Sequence, residues 1–347
     1  MSVGNRPKKS ITLKDIANDT GYSITAVSHA LHDRSDISAQ AKATIAESAA
    51  RLGYIGNHTA SSLQSGKTQT IAVIVGDTSN PFFAFMAKIL ENELRTHGYS
   101  LFLMNTNEEE TIERQCLLLA ARQRVDGIIW CPVQRTEENL RMLENTHIPF
   151  VIIGRYFKDH SANYVSSNDY KAGCLVAEHL LAKGHFKTIY IDTQQQNSSS
   201  VERYAGFIST YRSHGKPYQT ETVYFDTAGN YYTQLIRPDG TWRADAIVAY
   251  NDLIAWDVLT RSSIAIQGHT PRSTLSILAF DNLHSFLPLP FKLTSVSASK
   301  ISLARRSAEI LLQQIGNPRI PLNHLTLDVE LIDRGSVRDV NKKNEAL

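Results

Sequence analysis

The chain has 347 residues, of which 42% are hydrophobic and 20% charged, as expected of a soluble globular protein with two or three domains. Its three cysteines are far apart and form no CxxC pair, which argues against a disulfide framework and against a cysteine-based zinc site. No apolar run is long enough to span a membrane, and the N-terminus lacks the apolar segment of a secretory signal, so a cytoplasmic protein is expected.

The net charge of +2 is distributed unevenly along the chain. Residues 1–70 contain eight Lys or Arg and five Asp or Glu, whereas the remainder contains 28 basic and 29 acidic residues. A basic N-terminal segment joined to a nearly neutral remainder indicates that any polyanionic partner, such as nucleic acid, meets the N-terminal segment.

Residues 12–31 predict two short helices separated by a turn. Thr12 and Ser23 are N-cap residues, and Gly21 interrupts the helical pattern between them. Apolar side chains at helical spacing follow each cap, namely Leu13, Ile16 and Ala17, then Ile24, Val27 and Leu31. This arrangement predicts a helix-turn-helix, whose second helix can enter the major groove of DNA. A plain helical hairpin within a core is the alternative.

A third helix and a polar segment follow. Ser38 is the N-cap of the third helix, and Gly53 lies just past its end. Residues 57–70 are rich in small and polar side chains, which predicts a flexible linker. The same segment is also compatible with a hinge that orders when it docks on a partner.

From Ile71 onward, short apolar runs alternate with amphipathic helical stretches. The runs cover 71–75, 101–104, 127–131, 150–153, 188–191, 246–250 and 275–280. The helical stretches cover 82–97, 109–123, 136–145, 170–183, 201–214, 252–261 and 299–314. Alternation of this kind predicts βαβ units and parallel sheets, and the number of strands indicates two lobes.

Polar and aromatic residues follow several of the predicted strands. In parallel α/β sheets, ligands bind at the carboxyl ends of strands, so these loops are candidate ligand contacts. Asn-Asp or Asp-Asn pairs occur at 168–169, 251–252 and 281–282, and each is also explained as a helix cap or a turn. Together with an arginine and aromatic residues, they predict a cleft for a small polar molecule.

Sequence signatures of catalysis and of cofactor binding are missing from the chain. There is no G-x-G-x-x-G after a strand, no phosphate-binding loop, no H-E-x-x-H and no G-x-S-x-G. The histidines are scattered, without metal-ligand spacing. We therefore predict no enzyme activity, no catalytic residues, no cofactor and no metal site.

The order of these parts resembles the lactose/galactose repressor (LacI/GalR) family over roughly residues 12–335. The segments that carry the resemblance are T-L-K-D-I-A-N-D-T-G-Y-S-I-T-A-V-S-H-A-L, R-L-G-Y-I-G-N-H-T-A-S-S-L, D-T-S-N-P-F-F, R-V-D-G-I-I, E-H-L-L-A-K-G-H, V-E-R-Y-A-G-F and L-A-F-D-N. The resemblance implies an N-terminal all-α helix-turn-helix head plus an α/β periplasmic-binding-protein-like body of two doubly wound parallel-sheet lobes.

The resemblance also implies domain boundaries. They are 1–57 for the DNA-binding domain, 58–68 for a hinge helix or linker, and 69–340 for the effector-binding and dimerisation body, with lobe 1 at about 69–182 and 297–325 and lobe 2 at about 183–296.

Site residues follow from the resemblance, position by position. The residues implied to contact DNA are Ser23, Ile24, Thr25, Ser28, His29, Asn57, Ala60 and Leu63. Among these, Leu63 would wedge between base pairs in the minor groove. The residues implied to line the effector cleft are Phe82, Phe83, Asp169, Arg203, Phe225, Asn251 and Asp281.

The chain departs from the family pattern at several positions. His29 stands where most members have arginine, and histidine cannot make the bidentate contact that arginine makes to guanine. Gly56 replaces the usual proline, and Ser61 replaces a frequent arginine. The C-terminal tail lacks heptad leucines, which favours a homodimer over a coiled-coil-tethered tetramer.

The sequence thus predicts a repressor that binds a near-palindromic operator in double-stranded DNA under the control of a small-molecule effector. A sugar or sugar derivative of a carbohydrate-utilisation operon is the expected effector. Alternatives are a regulator that depends on a purine-type corepressor, and a solute-binding protein without a regulatory role.

Overall fold

The computed structural model describes residues 11–55, 66–265 and 275–341. Internal contacts divide the chain into two units, Met1–Gly66 and Lys67–Leu347, which we call the head and the body.

The head contains the three helices expected from the sequence. They are α1 (Leu13–Thr20), α2 (Ile24–Leu31) and α3 (Ala39–Leu52). The hydroxyl of Ser23 accepts a hydrogen bond from the backbone N–H of Ala26 at 3.1 Å, which caps α2. Gly21 ends α1 with a φ of +77°, a left-handed conformation that glycine adopts without steric cost.

One small apolar core holds the three head helices together. Its buried members are Ile16, Ala17, Val27, Ile45 and Ala49. Each helix contributes at least one of these side chains, so none of the helices buries its apolar face alone.

The described residues of the body form two six-stranded sheets, one in each lobe. The twelve strands are β1 (Thr70–Val75), β2 (Ser100–Asn105), β3 (Gly127–Trp130), β4 (Phe150–Ile153), β5 (Tyr164–Ser167), β6 (Lys187–Asp192), β7 (Gln219–Tyr224), β8 (Ala246–Ala249), β9 (Ser276–Phe280), β10 (Thr294–Ser297), β11 (His324–Leu327) and β12 (Glu330–Ile332). The strand orders are β11-β5-β4-β3-β1-β2 and β12-β10-β9-β8-β6-β7, and all pairs are parallel except the one between β10 and β12.

In the described residues of the body, seven α-helices connect the strands. They are α4 (Pro81–Thr96), α5 (Glu110–Arg122), α6 (Glu138–Glu144), α7 (Asp169–Ala182), α8 (Ser198–Ser213), α9 (Asp252–Ala265) and α10 (Lys300–Gly316). Central strands such as β1 and β8 are buried on both faces, as expected of parallel sheets covered by helices.

The lobe boundary lies earlier in the chain than the sequence predicted. Helix α7, which the sequence prediction assigned to lobe 1, packs against α8 and against strands β10 and β12 of the second sheet. The chain therefore passes from the first lobe to the second between β5 and α7, and it crosses again between β10 and α10 and between β11 and β12. The prediction at 182/183 was wrong because β5 and β11, whose pairing completes the first sheet, were not recognised.

Helices α7 and α8 pack unusually closely, through two glycines. A Cβ atom on Gly173 would lie 1.9 Å from the carbonyl oxygen of Arg203, and one on Gly206 would lie 2.0 Å from that of Tyr170. Any side chain at either position would push the helices apart. This close contact brings Arg203 on α8 next to Asp169, the first residue of α7.

Candidate functional site

A cavity of about 700 Å³ lies at the carboxyl ends of strands from both sheets of the body. All seven predicted effector-site residues line it. They are Phe82, Phe83, Asp169, Arg203, Phe225, Asn251 and Asp281. The fold thus brings together side chains from both lobes that are far apart in the sequence.

Arg203 is the most constrained side chain of this cavity. Its Nε donates to Oδ1 of Asp169 at 2.7 Å, and its Nη1 donates to the backbone oxygen of Tyr250 at 3.0 Å. Nη2 lies 3.6 Å from Oδ1 of Asp281, and the guanidinium carbon lies 4.7 Å from the ring centre of Phe280. Burial disfavours the charged form, but the two carboxylates raise the pKa of Arg203 above its ordinary value. The guanidinium is therefore a fixed positive charge at the cavity wall.

Two buried carboxyl groups lie on the second-lobe side. Burial raises the pKa of Asp281, against the opposing effect of Arg203. Burial, with the nearby Asp281, raises the pKa of Asp252 to about 7. Asp252 accepts hydrogen bonds from Ser295 Oγ at 2.7 Å and from the backbone N–H of Leu283 at 2.6 Å. Asp252 therefore supports the loop after β9, in which Asp281 itself has a left-handed φ of +95°.

Aromatic rings form part of the wall on both sides of the cavity. Phe82 and Phe83 begin α4, where the side chain of Asn80 caps the helix by accepting from the N–H of Phe82 at 2.9 Å. Their rings pack edge to face, with centroids 5.3 Å apart. Phe225, at the end of β7, packs against Tyr231 at 5.0 Å. Rings held in this way offer rigid apolar surface to the C–H face of a ligand.

Asn251 has a structural contact in addition to its place at the cavity. Its Oδ1 accepts from the backbone N–H of Ile254 at 2.9 Å, which caps the start of α9. Asn251 therefore both caps a helix and lines the cavity. The interpretation of the Asn-Asp pair at 251–252 as a helix cap does not exclude a place at the ligand site.

The first lobe contains a buried ion pair that was not predicted from the sequence. Arg155 donates to both carboxylate oxygens of Glu108, at 2.9 and 2.7 Å, and both residues line the cavity. A Cβ on Gly76 would lie 2.1 Å from Oε1 of Glu108, so that glycine makes room for the pair. Arg155 is separated from β4 only by Gly154, and the strand-end argument applied to that run would have identified it. Glu108 lies three residues after the end of β2, so the same argument applies to it.

Hydrogen bonds connect the two lobes along the cavity. Gln195 Nε2 donates to the backbone oxygen of Glu108 at 3.3 Å, and Ser199 Oγ donates to that of Gly154 at 3.0 Å. The side-chain oxygen of Gln134 accepts from the backbone N–H of Ser198 at 3.0 Å. The first turn of α8 therefore contacts loops of the first lobe, and these bonds join the two lobes beside the cavity.

In the head, the predicted base-contacting residues of α2 lie on the side away from the core. Val27 is fully buried, whereas Ile24 is 48% exposed. Ser23 and Thr25 are exposed, and Ser28 and His29 are partly exposed. The remaining predicted contacts, Asn57, Ala60 and Leu63, and the departures at Gly56 and Ser61, lie outside the described residues.

The part of the chain that the structure describes holds neither a metal site nor a membrane-spanning helix. No group of three or more His, Cys, Asp or Glu side chains in 11–55, 66–265 and 275–341 is placed to hold a metal ion. Within the same ranges, no helix has the length and apolar character needed to cross a bilayer.

Residues 68–334 match the sequence pattern of the family described as periplasmic binding proteins and sugar binding domain of LacI family. A curated relative is the HTH-type transcriptional repressor PurR of Actinobacillus pleuropneumoniae serotype 3 (strain JL03). It is 29% identical over 339 residues, which cover 95% of this chain and 99% of the relative.

Solved structures show the same architecture. The lac repressor dimer bound to operator and the anti-inducer ONPF is 20% identical, with a TM-score of 0.80 and coverage of 95% of this chain and 100% of that one. A periplasmic binding protein/LacI transcriptional regulator from Alkaliphilus metalliredigens QYMF, complexed with D-xylulofuranose, is 26% identical, with a TM-score of 0.65 and coverage of 78% and 99%.

Proposed function

The chain belongs to the LacI family, and we propose on this premise that it is a transcriptional repressor whose affinity for operator DNA is controlled by a small polar molecule. The observation that carries the proposal is the cavity around Arg203 in a chain that also has a helix-turn-helix head. The head supplies a surface for DNA and the body supplies a site for a ligand, while the proposal includes no catalytic step.

A neutral polyhydroxyl ligand, such as a sugar or sugar derivative, suits the cavity best. Asp169, Asn251 and Asp281 offer oxygen acceptors for hydroxyl groups, and the Phe rings offer apolar surface. The positive charge of Arg203 is already balanced by two carboxylates, which leaves less attraction for an anionic ligand. The solved relative that holds D-xylulofuranose is in line with this choice.

A ligand that touches both lobes stabilises the closed arrangement of the body relative to more open ones. The response of the protein then depends on the difference in ligand affinity between these arrangements. In a homodimer, a change within each body alters the placement of two heads on a near-palindromic site. We propose that Ser23, Ile24, Thr25, Ser28 and His29 face the operator there, with Asn57, Ala60 and Leu63 acting at the hinge.

The test combines DNA selection with a ligand screen. The full chain is used to select binding sites from random double-stranded DNA, and sugars, sugar derivatives and purines are then screened for an effect on affinity at fixed salt. We expect a near-palindromic site and a change of at least tenfold with a sugar, which is about 1.4 kcal/mol of coupling. Failure to select any sequence would overturn the proposal.

Arg203→Ala is expected to abolish the ligand response and to leave the affinity for the selected DNA unchanged, because the head does not include this residue. Arg243→Ala is the matched control, since Arg243 lies in the same lobe and pairs with Glu221 at 2.8 Å on the surface. A normal ligand response in the Arg203 variant would refute the cavity assignment. Circular dichroism checks that both variants are folded.

A purine-type corepressor is the second candidate ligand, because aromatic rings on both sides of the cavity offer stacking faces. The two candidates differ in the ligand that acts and in the sign of its effect, since a corepressor strengthens DNA binding. The same screen distinguishes them. A solute-binding protein without a regulatory role would bind a ligand and select no DNA.

A further inference from the structure

The loop that follows the second helix of the head places a carboxylate against that helix. Oδ2 of Asp36 lies 2.6 Å from Nδ1 of His29, which is in the last turn of α2. The hydrogen bond from His29 lowers the pKa of Asp36, so the carboxyl group is ionised at neutral pH. The side chains of His29 and Asp36 are 34% and 55% exposed, so the pair lies at the surface of the head.

Several contacts keep Asp36 in this position. The loop between α2 and α3 folds back, with the N–H of Arg34 donating to the backbone oxygen of His29 at 3.0 Å. Asp33 has a left-handed φ of +52°, and its carboxylate binds Nζ of Lys42 on α3 at 2.6 Å. These contacts fix the loop to both α2 and α3, and they hold Asp36 next to α2.

The hydrogen bond determines what the imidazole presents to a partner. An ionised carboxylate only accepts hydrogen bonds, so Nδ1 must carry the hydrogen. In the neutral ring, Nε2 is then an acceptor. Nε2 of His29 has no hydrogen-bond partner in the described part of the chain, and it is the ring nitrogen left available to DNA.

We infer that Asp36 is a specificity-determining positioning residue, which holds the His29 ring so that Nε2 accepts a hydrogen bond from an exocyclic amino group of adenine or cytosine in the major groove. The inference rests on the proposed DNA-binding function. Without Asp36, the ring is free to rotate and to exchange tautomers, and it then presents a donor or an acceptor to the same base.

The experiment measures base preference with the full chain. Sites are selected from random DNA with the wild-type protein, and affinities are then measured for every base substitution in the half-site. His29→Ala identifies the position that the imidazole reads, as the one where discrimination between bases is lost. Asp36→Ala is expected to lower discrimination at that same position by about fivefold to tenfold and to leave the other positions unchanged.

Two further variants separate positioning from charge and from folding. Glu47→Gln removes an exposed negative charge from α3, outside the loop that holds Asp36, and it is expected to change overall affinity as Asp36→Ala does while keeping the base preference. Asp36→Asn keeps a neutral acceptor next to Nδ1, and it is expected to restore part of the discrimination. In the double variant of His29→Ala and Asp36→Ala, loss of Asp36 is expected to have no additional effect on discrimination.

The acceptor role has a test of its own. At the position read by His29, the amino group is removed from the DNA by placing purine for adenine, or pyrimidin-2-one for cytosine. Wild-type affinity is expected to fall about fivefold to tenfold, and the affinity of His29→Ala is expected to stay the same.

The outcomes distinguish the inference from the proposed function. If the wild-type chain selects no sequence, the proposed function itself fails. If it selects a sequence and Asp36→Ala keeps the wild-type base profile, the positioning role is overturned while the function stands. Unchanged affinity for DNA without the amino group overturns the acceptor assignment.

Discussion

The head and the body hold their candidate functional side chains in opposite ways. In the head, the predicted base-contacting residues lie on the surface of α2, and the apolar core behind them is small, with five buried side chains. In the body, the side chains of Arg203 and Asp281 are only 13% and 11% exposed and are linked by ion pairs at the cavity wall.

In the head, a functional side chain can therefore be substituted without destabilising the fold. In the body, substitution of a functional side chain also lowers stability. An exposed side chain on α2 can be changed with little effect on folding, because its neighbours lose few contacts. A change among the buried ionic groups of the body leaves a partner without its counter-charge in a poorly solvated place. The following variants test this contrast.

The largest effect is expected from Ile45→Ala in the core of the head. Ile45 is fully buried, and removing its side chain costs about 2–5 kcal/mol, which is comparable to the whole stability of so small a helical unit. We expect the head to unfold and DNA binding to be lost, while the thermal transition of the body is unchanged. Calorimetry and limited proteolysis of the full chain measure both.

Ile55→Ala is the control for that variant. It removes the same side-chain atoms as Ile45→Ala, but Ile55 is 87% exposed. It is expected to keep the head folded. If Ile45→Ala also lowers the melting temperature of the body, the head and the body do not unfold as separate units.

The next effect is expected from Glu108→Gln in the body. It leaves the buried guanidinium of Arg155 without its counter-charge, at a cost of about 3 kcal/mol. The body is expected to melt at a lower temperature while the head is unaffected. Glu91→Gln is the control, since Glu91 forms an exposed pair with Arg95 at 3.1 Å and such pairs contribute little. Equal effects of the two substitutions would show that burial does not govern the strength of these pairs.

A smaller effect, dependent on pH, is expected from Asp252→Asn. Because the pKa of Asp252 is about 7 in the folded protein and 3.8 without the fold, the native state keeps a proton that the unfolded state loses between these values. The contribution of this group to stability therefore falls as pH rises from about 4 to 7, by about 4 kcal/mol, and is constant above that range. The asparagine has no such dependence, and its amide can bond to the Ser295 hydroxyl and the Leu283 N–H.

Thermal midpoints of the wild-type chain and of Asp252→Asn, measured from pH 4.5 to 8, check this prediction. The variant is expected to gain stability relative to the wild type as pH rises. Asp328→Asn is a control without pH dependence in this range, because the hydrogen bond from Lys171 lowers the pKa of Asp328 below 3.8 and its carboxyl group is ionised in both the folded and the unfolded state above pH 4.5. A pH-independent difference between Asp252→Asn and the wild type would contradict the raised pKa.

Local signals in the sequence account for most of the elements. The helices of the head follow from caps at Ser23 and Ser38 and from apolar spacing, which act within one or two turns. Seven strands of the body follow from continuous apolar runs. Five strands, β5, β7, β10, β11 and β12, lie outside those runs because they are short or carry polar side chains, and the lobe boundary was misplaced with β5 and β11.

By itself, the sequence determined the order of the parts and the fold class, because caps, apolar periodicity and strand ends are encoded within a few residues of each other. The seven cavity-lining positions followed from the resemblance of its motifs to the LacI/GalR family. Only the tertiary structure decided which charges meet. Glu108 and Arg155 are 47 residues apart, and the contact of Asp36 with His29 depends on how a loop folds back. Such pairings arise from the path of the backbone through the packed fold, and no local pattern along the chain records that path.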